Sequence, residues 1–163
     1  MEVVRLLKDV AVKEGLNLPE PLAHKIARTS ERNMRRALLC LETARVQQYP
    51  FAPNQDVQLP DWEVYIKGIA SDILDNQSPQ RLFAVRASLY ELLVNCIPPH
   101  LILRRLAAEL MQKSESEIKH EIAHWAAFYE HRLVGGSKAV FHLEAFVARF
   151  MSVYKNYLNA MIF

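Results

Sequence analysis

The stretch ESEIKHEIAHWAAFYEHRLV, residues 115–134, decides how this chain is read. At about 100° per residue, Ile118, Ile122, Trp125, Ala126, Tyr129 and Leu133 fall on one side of a helical wheel. That stripe predicts an amphipathic helix packed on a core. His120, His124 and His131 lie roughly opposite the stripe, on the side that a packed helix turns to water or to a partner. Yet His120-Glu121-Ile122-Ala123-His124 also fits H-E-x-x-H, in which two histidines one turn apart hold Zn²⁺ and the glutamate is the general base. Glu144 follows at a spacing at which one branch of zinc peptidases supplies a third ligand. The alternative reading is therefore a small zinc-dependent hydrolase using residues 120–124, with His120, His124 and Glu144 as ligands. The wheel argues against it, because such enzymes bury the metal helix below a cleft, where carboxylates and backbone carbonyls orient the imidazoles, whereas these histidines face outward.

Moving outward from this helix, every element reads as helical. Towards the C-terminus, Gly135 and Gly136 separate it from a long helix over 138–162. There Phe141, Ala145, Phe146, Ala148, Phe150 and Tyr154 have the spacing of packing residues. Towards the N-terminus, Pro98-Pro99 opens a helix running to Lys113, Ser78-Pro79 opens one through Cys96, and Asp61 caps DWEVYIKGIASDILD. Before these lies YPFAPNQDVQLP, residues 49–60, with three prolines and no helical period; it reads as an interdomain linker. The first part of the chain predicts three helices. Residues 2–14 carry Val3, Val4, Leu7, Val10 and Ala11 and stop at Gly15. A second helix begins at Pro19-Glu20-Pro21. A third, capped by Ser30, runs from Glu31 to Gln48 with Met34, Leu38 and Leu41 on one face. No segment alternates as a strand does, so no sheet edge is expected to hold an extended peptide. The expected fold class is all-α, in two parts: residues 1–58 with three helices and 59–163 with five.

Composition narrows the function. The 163 residues are 51% hydrophobic, enough for real cores, and no apolar run approaches a membrane span. Without a cleavable signal pattern, the chain reads as soluble and intracellular, with no membrane partner. Cys40 and Cys96 sit among apolar neighbours without C-x-x-C spacing and read as buried reduced thiols. The formal net charge of +2 is too small for general attraction to nucleic acid. No G-x-x-x-x-G-K-[ST] loop and no G-x-S-x-G elbow occurs in these residues, so no catalytic residue is assigned.

One charge cluster stands out. ARTSERNMRRALLCLE, residues 27–42, gathers Arg28, Arg32, Arg35 and Arg36 around a helix start, where backbone N–H groups also point outward. That corner suits a phosphate, although a solvated basic face has the same pattern. Arg81, Arg86, Arg104 and Arg105 are more dispersed and read as solvated faces or intersubunit charge pairs.

The segments EGLNLPEPLAHKIA, RVQQYPF, DWEVY, PQRL, LYELLVNCIPP, YEHRL and GSKAVFHLEAFVARFMSVYK carry a resemblance covering nearly the whole chain. It resembles the C-terminal half of the small subunits of replication factor C, the eukaryotic clamp loader of the AAA+ family. The resemblance implies a three-helix AAA+ lid over residues 1–58 and a helical collar, the oligomerisation domain, over 59–163. It further implies other replication factor C subunits as partners. Through the intact complex it implies a sliding clamp, primer-template DNA and a nuclear location. ATP and Mg²⁺ would belong to the parent subunit, whose P-loop and acidic Mg²⁺ site have no counterpart in these residues. The family's sensor-2 arginine follows a G-D-[LM]-R turn, and the matching position is Arg35 in Arg32-Asn33-Met34-Arg35. Here Arg32-Asn33 stands in place of Gly-Asp.

Overall fold

A computed structural model describes residues 2–52 and 54–162, the side chain of Ile162 excepted. Its elements are α1 (Glu2–Lys13), α2 (Glu20–Thr29), α3 (Met34–Gln47), α4 (Asp61–Asp75), α5 (Pro79–Val94), α6 (Pro99–Lys113), α7 (Ser116–Gly135) and α8 (Ala139–Ile162). Among the described residues there is no strand, and no helix is long and apolar enough to cross a membrane. The chain divides into two compact units, residues 1–59 and 60–163.

In the first unit, α1, α2 and α3 pack on one another. Gly15 closes α1 at φ 67°. Its N–H bonds Val12 O at 3.1 Å and that of Leu16 bonds Ala11 O at 2.8 Å, the paired bonds of a left-handed helix stop. Leu7, Leu22 and Ile26 fill the core together with Ala37, Cys40, Leu41 and Ala44 of α3. The buried face of α3 is thus turned from the expected Met34–Leu38–Leu41 stripe. Small residues, Ala37 and Ala44, let the three helices approach closely, while Leu38 and Leu39 are exposed. Ser30 is not the cap of α3. It is buried, its hydroxyl donates to Ala27 O at 3.0 Å, and the chain then passes through two left-handed residues, Glu31 and Arg32. Asn33 is the cap, its Oδ1 accepting the Arg36 N–H at 3.2 Å.

The segment read as a linker is fastened to this unit. Phe51 is buried in its core beside Ala44 and Val57, Gln55 donates to Ala44 O at 2.7 Å, and Asp56 pairs with Lys25 at 2.7 Å. Gln47 also meets Gln58. A proline-rich run without helical period can still pack, because its apolar side chains dock on a neighbouring helix without the segment itself becoming regular.

In the second unit, α8 packs against α4, α5, α6 and α7. At about 1.5 Å per residue its 24 residues span roughly 36 Å, long enough to touch all four. Phe146 lies at the centre, fully buried among Ile66, Leu89, Leu106 and Ile122 of the same core cluster. Prolines start α5 and α6 as expected, and Ser78 Oγ accepts the Arg81 N–H at 3.2 Å. Asp61 does not cap α4; Pro60 holds the cap position and Asp61 is the first helical residue, where its charge faces the positive end of the dipole. Cys40 is buried but Cys96 is exposed: it ends α5 at φ 59°, in the left-handed position usually taken by glycine. Phe141 is also exposed rather than packed, with Lys138 Nζ 5.8 Å from its ring centroid.

Candidate functional site

The stripe predicted on α7 faces the core: Ile118 and Ile122 are buried, and Trp125, Ala126, Tyr129 and Leu133 pack against the same cluster. His120, His124 and His131 are exposed. Glu144 is half-buried and its Oε2 meets the Arg86 guanidinium at 3.1 Å, so its carboxylate is engaged with α5. Among the described residues no group of three His, Cys, Asp or Glu side chains could hold a metal ion. The structure does not bring His120, His124 and Glu144 together as a zinc site, and the hydrolase reading has no support in the geometry.

Each of the dispersed arginines meets a carboxylate of its own unit. Arg81 reaches Asp72 at 3.4 Å, tying α5 to α4. Arg104 reaches Glu130 at 2.6 Å, tying α6 to α7. Arg105 lies between Glu63 at 3.3 Å and Glu109 at 3.2 Å. Glu63 is only 1% exposed, and Glu109 also has Lys67 at 4.0 Å. Arg104 keeps the solvated character expected of it, with 66% of its side chain exposed, whereas Arg105 is no solvated charge: carboxylates as deep as Glu63 and Glu109 need an opposite charge within reach. Sequence reasoning missed Glu63 and Glu109. The available signals were that Glu63 begins the row Glu63, Ile66, Ala70, Ile73 on α4, and that Arg105 and Glu109 are one turn apart on α6.

At the start of α3 the chain makes its turn without a glycine. Arg32 adopts φ 65°, the conformation glycine would take, and Asn33 caps the helix in place of aspartate. Arg35 is therefore presented, exposed, from the first turn, beside N–H groups that have no partner within the helix. Guanidinium and first-turn N–H groups are donors of the kind an anion takes. No carboxylate cluster suited to Mg²⁺ accompanies it among the described residues. Arg28 lines a separate cleft of about 390 Å³ with His24, Lys25 and Asp56. Lys25, by hydrogen bond and charge, holds the Asp56 carboxyl below its ordinary value.

The second unit has its own cleft of about 430 Å³, lined by Trp62, Tyr65, Leu92 and Ile97 and edged by Asp61 and Glu91. Tyr65 donates its hydroxyl to Glu91, and because ionisation would forfeit that hydrogen bond the phenol's pKa is raised. Further along, α7 and α8 form a contiguous seam of rings and cations. Arg149 lies 4.1 Å from the Trp125 ring centroid, Trp125 meets Phe128 edge-on at 5.6 Å, and Arg132 lies 5.3 Å from Phe128. That seam was not visible in the sequence, since Arg149 and Trp125 belong to different helices.

Comparison with known proteins places both units. Residues 62–158 match the family described as "Replication factor C subunit 3, C-terminal domain", and residues 5–46 match "RCF1/5-like, AAA+ ATPase lid domain". Among relatives, the chain is 57% identical over 157 residues to replication factor C subunit 3 of Arabidopsis thaliana, covering 96% of this chain and 44% of that protein. It is 58% identical over 157 residues to replication factor C subunit 5 of Oryza sativa subsp. japonica, with coverages of 96% and 44%. With replication factor C subunit 3 of Homo sapiens it shares 52% over 158 residues, covering 97% and 44%. The chain thus spans under half the length of these relatives. With a family match across most of the second unit and a lid match across the first, the chain belongs to the replication factor C subunit 3 C-terminal domain family, preceded by an AAA+ lid.

Proposed function

We propose that this chain is the lid and collar of a clamp-loader small subunit, and that its activity is protein association. The observation that carries the reading is the family match over residues 62–158. The surface of the second unit supports it: Phe83, Tyr90, Phe128 and Phe141 are exposed, while Arg81, Arg86, Arg104 and Arg105 are paired with carboxylates of the same unit. Exposed apolar and aromatic surface of this kind suits burial against another subunit. In this reading residues 59–163 are the collar that joins other replication factor C subunits. Residues 1–58 are the lid of an AAA+ module whose P-loop domain, from outside these residues, binds ATP and Mg²⁺. Arg35 contacts nucleotide phosphate when that domain is present, coupling nucleotide binding to lid position. The assembled complex opens a sliding clamp and places it on primer-template DNA in the nucleus, and this chain supplies no catalytic residue. Co-expression with the other replication factor C small subunits tests the reading. The chain co-purifies with them and competes with the longer subunit; failure in both assays would sink it.

A further inference from the structure

We propose that the α7–α8 seam of Arg149, Trp125, Phe128 and Arg132 is a docking surface for an amphipathic helix of a second protein chain that carries carboxylates. The inference rests on residues 59–163 being an assembly domain, and it goes further by naming the face and the chemistry of its partner.

The four side chains form an unbroken series of cation, ring, ring and cation across two helices. Phe128 is 41% exposed, and both arginines are exposed. Below them Tyr129 rests on the buried Phe146, with ring centroids 6.4 Å apart, so the surface is anchored to the core. Among the described residues no carboxylate lies within ion-pair distance of Arg132 or Arg149, unlike the four paired arginines of this unit. A guanidinium over a ring keeps its N–H donors for an outside acceptor, and carboxylate is the acceptor that matches its fork. Aromatic rings flanked by arginines are also the residue types that dominate interface energetics.

Charge decides the class of partner. Glu117 and Glu121 share α7 with this surface, and the whole chain carries a net charge of only +2. A polyphosphate backbone would meet those acids as well as the two cations, and nucleic-acid affinity needs several uncancelled positive charges. A helix offering an apolar stripe and one or two acidic side chains meets the rings and both cations while bringing far fewer negative charges near those acids.

The test uses the full chain co-expressed with replication factor C small subunits. Phe128→Glu and the double variant Arg132→Glu with Arg149→Glu each reduce co-purification by about tenfold or more. Lys119→Glu, on another exposed part of α7, does not, and Arg132→Lys with Arg149→Lys keeps most of the binding. A benzophenone-bearing phenylalanine analogue in place of Phe128 crosslinks to a helix with Asp or Glu beside its apolar stripe; this readout decides the matter if a charged variant fails to fold. A crosslink to a second copy of this chain, to primer-template DNA or to nothing overturns the proposal, as does normal assembly of folded charge-reversal variants. If wild type assembles while those variants assemble equally well, only this surface is wrong. If wild type does not assemble, the association function itself falls.

Discussion

Arg86 on α5 holds Glu144 on α8 at 3.1 Å, with the two side chains 34% and 17% exposed. The pair fixes two helices far apart in sequence, and Arg86 Nε is itself buried without a hydrogen-bond partner. Removing the carboxylate strands a largely covered guanidinium. Glu144→Ala should cost about 1–3 kcal/mol in urea unfolding, and combining it with Arg86→Ala should cost less than the sum of the single changes. Strictly additive losses would show that the two residues do not interact.

The deeper network predicts an order of severity. Arg105 serves two carboxylates, Glu63 and Glu109, both nearly inaccessible. Arg105→Met leaves both without their main cation and should destabilise by about 3–5 kcal/mol. Glu63→Gln keeps the shape, leaves Arg105 its second partner and should cost about 1–3 kcal/mol. Thermal or urea midpoints rank the two; the reverse order would mean that the arginine is not the hub.

Left-handed residues give a stabilising prediction. Arg32 at φ 65° and Cys96 at φ 59° occupy positions where a side chain is strained. Arg32→Gly and Cys96→Gly should each raise stability by about 0.5–1 kcal/mol, the relief of strain exceeding glycine's added freedom when unfolded. Exposed Cys96 should also react with a thiol reagent in the native state well before buried Cys40.

Acidification should be felt in the first unit through Lys25 and Asp56. The Asp56 carboxyl is held below its ordinary value of 3.8, chiefly by the hydrogen bond from Lys25 and then by its charge. A depressed folded-state pKa means that on acidification the unfolded chain takes up the proton first. The pair's contribution is therefore fully present above about pH 4 and is lost as pH falls through the folded value. Lys25→Ala should lower the thermal midpoint slightly at pH 7, and the gap to wild type should close as pH falls through the folded Asp56 value. A gap independent of pH would contradict the assignment. Added salt should shrink it too, since both groups are at the surface.

Helix starts in the second unit were legible because proline and serine act locally: Ser78, Pro79, Pro98 and Pro99 set α5 and α6 where the sequence predicts. The α7 stripe was legible for the same reason, one helix carrying its whole pattern. Three features were not. The α3 cap moved from Ser30 to Asn33 because two non-glycine residues accept a left-handed conformation, which composition does not announce. The run from Tyr49 to Pro60 packs through Phe51 and Gln55 despite having no period. The arginine pairs join residues tens of positions apart, and only the folded chain brings Arg86 to Glu144 or Arg149 to Trp125. Of the candidate site, the outward histidines could be read from a wheel, whereas the ring and cation seam needed two helices in place.

The central claim is that this chain exists to join other subunits, and its mass in solution tests that most directly. Sedimentation of the chain purified from co-expression with replication factor C small subunits should show it within a hetero-oligomer, several times heavier than its own 18.8 kDa. A species that remains at 18.8 kDa in the presence of those subunits would contradict the account.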